Sequence, residues 1–259
     1  MSNTKLWLLK IGLAIVSFVG WIVFFNIKVA VVLMLAVGWH EYSHIIALNN
    51  LGIKNFGFFY IPLLGGAAIP KQTYPSYYKH ALVSIAGPFG GAILAWFFAL
   101  LYAIWHLPIF GATALLMALF NVLNLIPVNP LDGGKIVRSI NFSINKWFGL
   151  GFLLASVIIA TITVIKMKSF WLALIIPGAL LDLCHTGYYV WFKRKENDPE
   201  ARIFIPQDAL DFSFPTTMNK KELAITIGSY LFTIGILVLL IVIMKSIPAV
   251  DIYKNFVRK

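Results

Sequence analysis

His40-Glu41-Tyr42-Ser43-His44 lies inside an apolar run, Val29 to Leu48. Residues four apart on a helix share a face, because four residues make slightly more than one turn. The spacing therefore sets two imidazoles side by side. Such a pair can share a metal, typically zinc, and the intervening Glu41 can act on a water held there. Ionisable groups are expensive in hydrocarbon and mark function by default. The competing structural reading is a set of interhelical hydrogen bonds in a membrane bundle.

Composition agrees with that setting. The chain is 60% hydrophobic and 12% charged, with a mean hydropathy of +0.85. A soluble domain carries about twice that share of charge. The expected fold class is an all-α polytopic membrane protein of about seven (six to seven) transmembrane helices with a short membrane-associated β-hairpin or re-entrant loop. The apolar runs Trp7–Phe25, Val29–Leu48, Ala81–Trp105, Ile109–Ile126, Trp147–Ile165, Phe170–Trp191 and Leu223–Met244 are the candidate spans, each near the length of about 20 residues that a bilayer requires. The first follows Lys5 and Lys10 like a signal peptide, but lacks a small-residue cleavage site and reads as an uncleaved span. The first two spans meet at Asn26–Lys28.

A single cysteine, Cys184, rules out an intrachain disulfide and a Cys-rich zinc site. The net charge of +11 is read as basic loops that set topology and meet anionic headgroups. No basic run is interleaved with aromatics as a nucleic-acid site requires. With the N-terminus cytoplasmic, 14 of the 21 Lys and Arg fall on the inner side, leaving 7 outside. The expected location is the cell membrane, with the active site toward the cytoplasmic leaflet.

Between the second and third spans, residues 57–70 are apolar but rich in Gly and Pro, which suggests a hairpin or re-entrant loop rather than a helix. Gly87 and Gly91, with Ala86 and Gly90 beside them, form a small-residue seam that reads as helix packing. The fourth span runs into Asn124-Leu125-Ile126-Pro127-Val128-Asn129-Pro130-Leu131-Asp132-Gly133-Gly134. Two prolines break the helix there, and an Asp after such an apolar run is costly unless paired or metal-bound. Only Glu41, Asp132 and Asp182 among the acidic residues lie in or at the end of apolar runs. A catalytic zinc commonly takes three protein ligands, so Asp132 is the best third beside His40 and His44. Asp182 and His185, three apart, read as a hydrogen-bonded pair, with a supporting role toward the site as the alternative.

Taken together, these motifs resemble the site-2 protease family of intramembrane zinc metalloproteases, in a compact form without PDZ or CBS domains. The resemblance covers about residues 28–140 and rests on H-E-Y-S-H, S-I-A-G-P and N-L-I-P-V-N-P-L-D-G-G. It implies one zinc per chain bound by His40, His44 and Asp132, with Glu41 as catalytic base and Asn124 handling the substrate backbone. It also implies that the stretch Leu63–Ala68, with Gly65 and Gly66, holds the substrate as an extended strand. The partners implied are the lipid bilayer and a transmembrane protein whose helix is cut. Gly91 stands where the family often has Asn, and Asn129 where many members have Pro. The expected organisation is an N-terminal span (1–27), a catalytic core (28–140), two further spans (141–192), a cytoplasmic loop (193–221), and a last span with its tail (222–259). Two other classes compete: an inactive relative that binds membrane proteins without cutting, and a metal transporter.

Overall fold

The computed structural model describes residues 3–62, 65–168, 173, 175–195 and 213–246. Among these residues the chain is mostly helical, with one two-stranded sheet. The helices are α1 (Asn3–Phe24), α2 (Ile27–Asn50), α3 (Tyr77–Trp105), α4 (Pro108–Asn124), α5 (Asp132–Ile144), α6 (Lys146–Met167), α7 (Ile175–Lys195) and α8 (Lys220–Ser246); the strands are β1 (Asn55–Ile61) and β2 (Gly65–Pro70).

Among the described residues, five helices are long and apolar enough to cross a membrane: Thr4–Phe24, Ile27–Asn50, Tyr77–Trp105, Lys146–Lys166 and Lys220–Lys245. They match five of the seven expected spans. The expected span Ile109–Ile126 is a shorter apolar helix, Pro108–Asn124, of 17 residues. Pro108 starts it, and Pro127 lies just past its end. The expected span Phe170–Trp191 is represented by α7, whose C-terminal end carries Lys193, Arg194 and Lys195. The start of that run, Leu63 and Leu64, most of the loop 193–221 with Glu196, Asp198, Glu200, Asp208 and Asp211, and the tail with Asp251 lie outside the described residues.

The chain divides into two compact units, Met1–Thr73 with Leu82–Ile126 and Ile227–Lys259, and Tyr74–Ala81 with Pro127–Thr226. In the first, only Phe25 and Asn26 separate α1 from α2. The Asn26 side chain accepts a hydrogen bond from Val29 N at 2.9 Å, satisfying one of the free amides that begin a helix. Helix α2 is apolar all round, so burial distinguishes its faces. Leu35, Trp39, Tyr42 and Ile46 point outward, while Val37, His40, Glu41, His44 and Leu48 point inward, following the helical repeat. The inward face packs on α1, both strands and α4.

The strands form an antiparallel hairpin in which Tyr60 faces Gly66 and Ile61 faces Gly65. Gly57, at φ +80°, lies where the register shifts between Asn55 and Phe58; this left-handed backbone is cheap only for glycine. The Tyr60 hydroxyl donates to Met34 O at 2.9 Å, next to Gly38, and so pins the hairpin to α2. Helix α8 ties the same unit together. Tyr230 Oη donates to Leu125 O at 2.6 Å, and its Ile236 O accepts from Trp96 Nε1 at 3.1 Å.

In the second unit, Tyr77, Ala81, Phe142, Leu153, Val190 and Met218 form the core. Helix α5 is amphipathic: Ile136, Ser139 and Phe142 are buried, while Lys135 and Arg138 lie toward its polar side. Asn145 alone joins α5 to α6, and its side chain caps Trp147 N at 2.8 Å.

Candidate metal centre

Helix α2 presents His40 and His44 on its buried face, and the ring partners define the protonation of both. His44 Nδ1 lies 2.6 Å from Val83 O, which can only accept. Nδ1 therefore carries the hydrogen. Pro88, inside α3, offers no N–H to Ser84 O, relaxing the helix at this turn. His40 Nδ1 lies 2.8 Å from Asn121 Oδ1. The Asn121 amide is oriented by its own bond from Nδ2 to Met117 O at 2.8 Å, so oxygen faces His40. His40 and His44 thus both carry hydrogen on Nδ1, which makes Nε2 the nitrogen that each can offer to a metal.

Those two nitrogens converge, with the Nε2 atoms 3.1 Å apart. Two zinc–nitrogen bonds of about 2.0–2.1 Å at a tetrahedral angle separate their nitrogens by about 3.3 Å. Asp132 completes the group: ligand atoms from His40, His44 and Asp132 all lie within 4.8 Å of one another, and all three residues are buried. Two imidazoles and a carboxylate form a donor set suited to a divalent metal such as zinc. Among the described residues this is the one such group.

Asp132 is the first residue of α5, just after the Pro127/Pro130 break. Its Oδ1 accepts from Lys135 Nζ at 2.9 Å, one helical turn on. Gly134 fits tightly over Val128 and the Asn129 amide, so the turn leading into Asp132 leaves no room for a side chain there. Nearby, burial pushes the Tyr74 phenol above its ordinary range, with Lys135 pulling it down and Asp132 adding to the rise. Tyr74 stacks on buried His80 with ring centres 4.4 Å apart, and His80 Nδ1 lies 3.2 Å from Ser139 Oγ.

Glu41 is 5% exposed, on the same buried face of α2 as the two histidines. Gly66 of β2 closes over it, where a Cβ would strike Glu41 Cγ. Burial first, and then the Glu41 charge, raise the Tyr60 phenol.

The other expected site residues are distributed differently. Asn124 donates from Nδ2 to Phe120 O at 3.1 Å, on the last turn of α4. Gly65 lies in β2 at φ +125° with Phe120 as its nearest neighbour. Asp182 and His185 do not form the expected pair. Asp182 accepts from Asn129 Nδ2 at 2.9 Å and Thr186 Oγ1 at 3.2 Å, and meets Arg138 at 3.5 Å. A charge-assisted set of donors outcompetes one imidazole, and exposed His185 rests on the Tyr189 ring instead.

Sequence reasoning missed Asn121, and it assigned the glycine seam to packing alone. A Cβ on Gly87 would run into His44 Nε2 and lie 2.8 Å from His40 Nε2, and one on Gly91 would run into the Asn121 amide. The seam thus makes room for the imidazole pair and for the amide that orients it. Compared with known proteins, the chain matches no protein-family model and no curated protein.

Proposed function

We propose that this chain is an intramembrane zinc metalloprotease of the site-2 protease type, which hydrolyses a peptide bond within or near a transmembrane segment of another membrane protein. The observation that carries the reading is the gathering of ligand atoms from three buried residues, His40, His44 and Asp132, within 4.8 Å of one another, with Glu41 buried on α2 between the two histidines. The set lies in a chain whose apolar helices suit a bilayer. The finer topology in this reading is about seven (six to seven) spans, oriented by the charge distribution with the N-terminus in the cytoplasm and the site toward the cytoplasmic leaflet.

His40, His44 and Asp132 hold one zinc ion. Zinc supplies Lewis acidity, acidifying water and polarising a peptide carbonyl. Glu41 takes the proton from the attacking water and returns it to the leaving amine. The side-chain amide of Asn124 serves the substrate backbone as a donor. A transmembrane helix has its amides satisfied internally, so the segment to be cut must first unwind. The hairpin offers its edge for strand addition, which offsets the broken bonds. Gly66 leaves the approach to Glu41 clear of side chains.

The test uses wild-type chain and Glu41→Gln, each purified and placed in liposomes with a tagged single-span substrate. The expected result is one zinc per chain in both and cleavage by wild type alone. Equal cleavage by Glu41→Gln overturns the assignment of the base. Zinc flux across the liposome without cleavage replaces the protease with a transporter, and zinc binding with neither makes the chain an inactive relative.

A further inference from the structure

The geometry points to Asn121 as a positioning residue for the metal centre, acting through His40 and made possible by Gly91. The inference rests on reading His40 and His44 as metal ligands. The two imidazoles are oriented by different means. His44 is held by a main-chain carbonyl, Val83 O, so no substitution of Val83 removes its partner. At His40 the corresponding Nδ1 partner is a side chain, the Asn121 amide at 2.8 Å.

Three features make that contact a device rather than an incidental hydrogen bond. Asn121 is completely buried, so water does not replace its oxygen. Its amide is fixed end to end, with Nδ2 on Met117 O and Oδ1 on His40 Nδ1. Finally, the volume it occupies is left open by one residue of another helix. A Cβ on Gly91 would coincide with the amide carbon, oxygen and nitrogen of Asn121. Any side chain at 91 displaces the amide; conversely, an amide-bearing side chain at 91 can take its place once position 121 is small. Loss of the acceptor lets His40 rotate or adopt the other tautomer, in which Nε2 carries the hydrogen and cannot ligate. Partners of this kind behind a metal-binding histidine are commonly worth 10–100-fold in metal affinity.

The experiment measures zinc affinity of the purified full-length chain by competition with a chromophoric chelator. Wild type is compared with Asn121→Ala and with the double variant Gly91→Asn/Asn121→Ala, which restores an amide and adds only one methyl group to the total side-chain volume. The expected result is a loss of about 10–100-fold in Asn121→Ala and recovery in the double variant. Wild-type affinity in folded Asn121→Ala overturns the inference. A double variant no tighter than the single one also overturns it, because it assigns the loss to packing. Should neither variant fold, the nitrogen-15 spectrum of labelled histidine in wild type decides: hydrogen on His40 Nδ1 supports the inference, and hydrogen on Nε2 in the zinc-free protein overturns it. If wild type itself holds no zinc, it is the metal reading that fails. The spectrum still reports whether Asn121 orients His40.

Discussion

Gly87→Ala adds one methyl group at the point where the two imidazoles converge. The new carbon would overlap His44 Nε2 and Cε1 and lie 2.8 Å from His40 Nε2. Zinc bonds to nitrogen at about 2.0–2.1 Å, so the methyl and the ion compete for one volume. Either the imidazoles retreat or the ion is excluded. Retreat has the ordinary cost of overpacking, about 1–3 kcal/mol of stability. It also breaks the bonds to Val83 O and Asn121 that aim both rings. Exclusion removes the metal outright. Zinc affinity is therefore expected to fall at least about 100-fold, equivalent to about 2.8 kcal/mol. The assay is chelator competition on purified protein, with thermal unfolding measured alongside. Gly12→Ala serves as the control, because its Cβ meets nothing within 4 Å. Zinc affinity within about threefold of wild type in Gly87→Ala would refute the reasoning, since the ion then does not lie between the two nitrogens.

Gly66→Ala sets a methyl against Glu41 Cγ without touching the metal-binding nitrogens; it is expected to keep zinc and slow cleavage at least about tenfold, about 1.4 kcal/mol in the barrier, measured on the liposome substrate. Asp132→Asn removes one donor charge and leaves Lys135 without its ion-pair partner, so zinc content after dialysis should fall well below that of wild type. Tyr60→Phe deletes the bond to Met34 O and should cost about 1 kcal/mol in unfolding stability. The Tyr60 phenol is raised by burial and by Glu41, so its folded form holds its proton longer than the unfolded one. Its stabilising share is complete below the ordinary tyrosine range near 10 and declines as pH rises through the raised value; a phenolate absorbance midpoint for Tyr60 at or below the ordinary value contradicts this.

Legibility in the sequence depended on how local each feature was. The imidazole pair rests on the pitch of a helix, and four-residue spacing sufficed to put His40 and His44 on one side. Asp132 emerged by sorting the acidic residues, few of which lie in or at the end of apolar runs, where an unpaired carboxylate is costly. Asn121 could not be read this way. It meets His40 across 81 residues of chain, and within its own helix it is one more polar residue near a proline break. The seam at Gly87 and Gly91 announced that something comes close, but small residues do not name what approaches. Asp182 and His185 share a helical face, which made them look like a pair, yet Asn129, 53 residues away, competed for the same carboxylate and won. The apolar runs indicated helices, while their lengths followed from punctuation: prolines at 108 and 127 bracket α4 and hold it to 17 residues.

On the proposed reading, Glu41 is the base for hydrolysis of a peptide bond inside another protein's membrane helix. Mass spectrometry of the fragments made from a single-span substrate in liposomes tests it most directly. New termini within the substrate's apolar stretch are expected from wild type and none from Glu41→Gln. Termini confined to the water-exposed flanks, or the same fragments from Glu41→Gln, would contradict it.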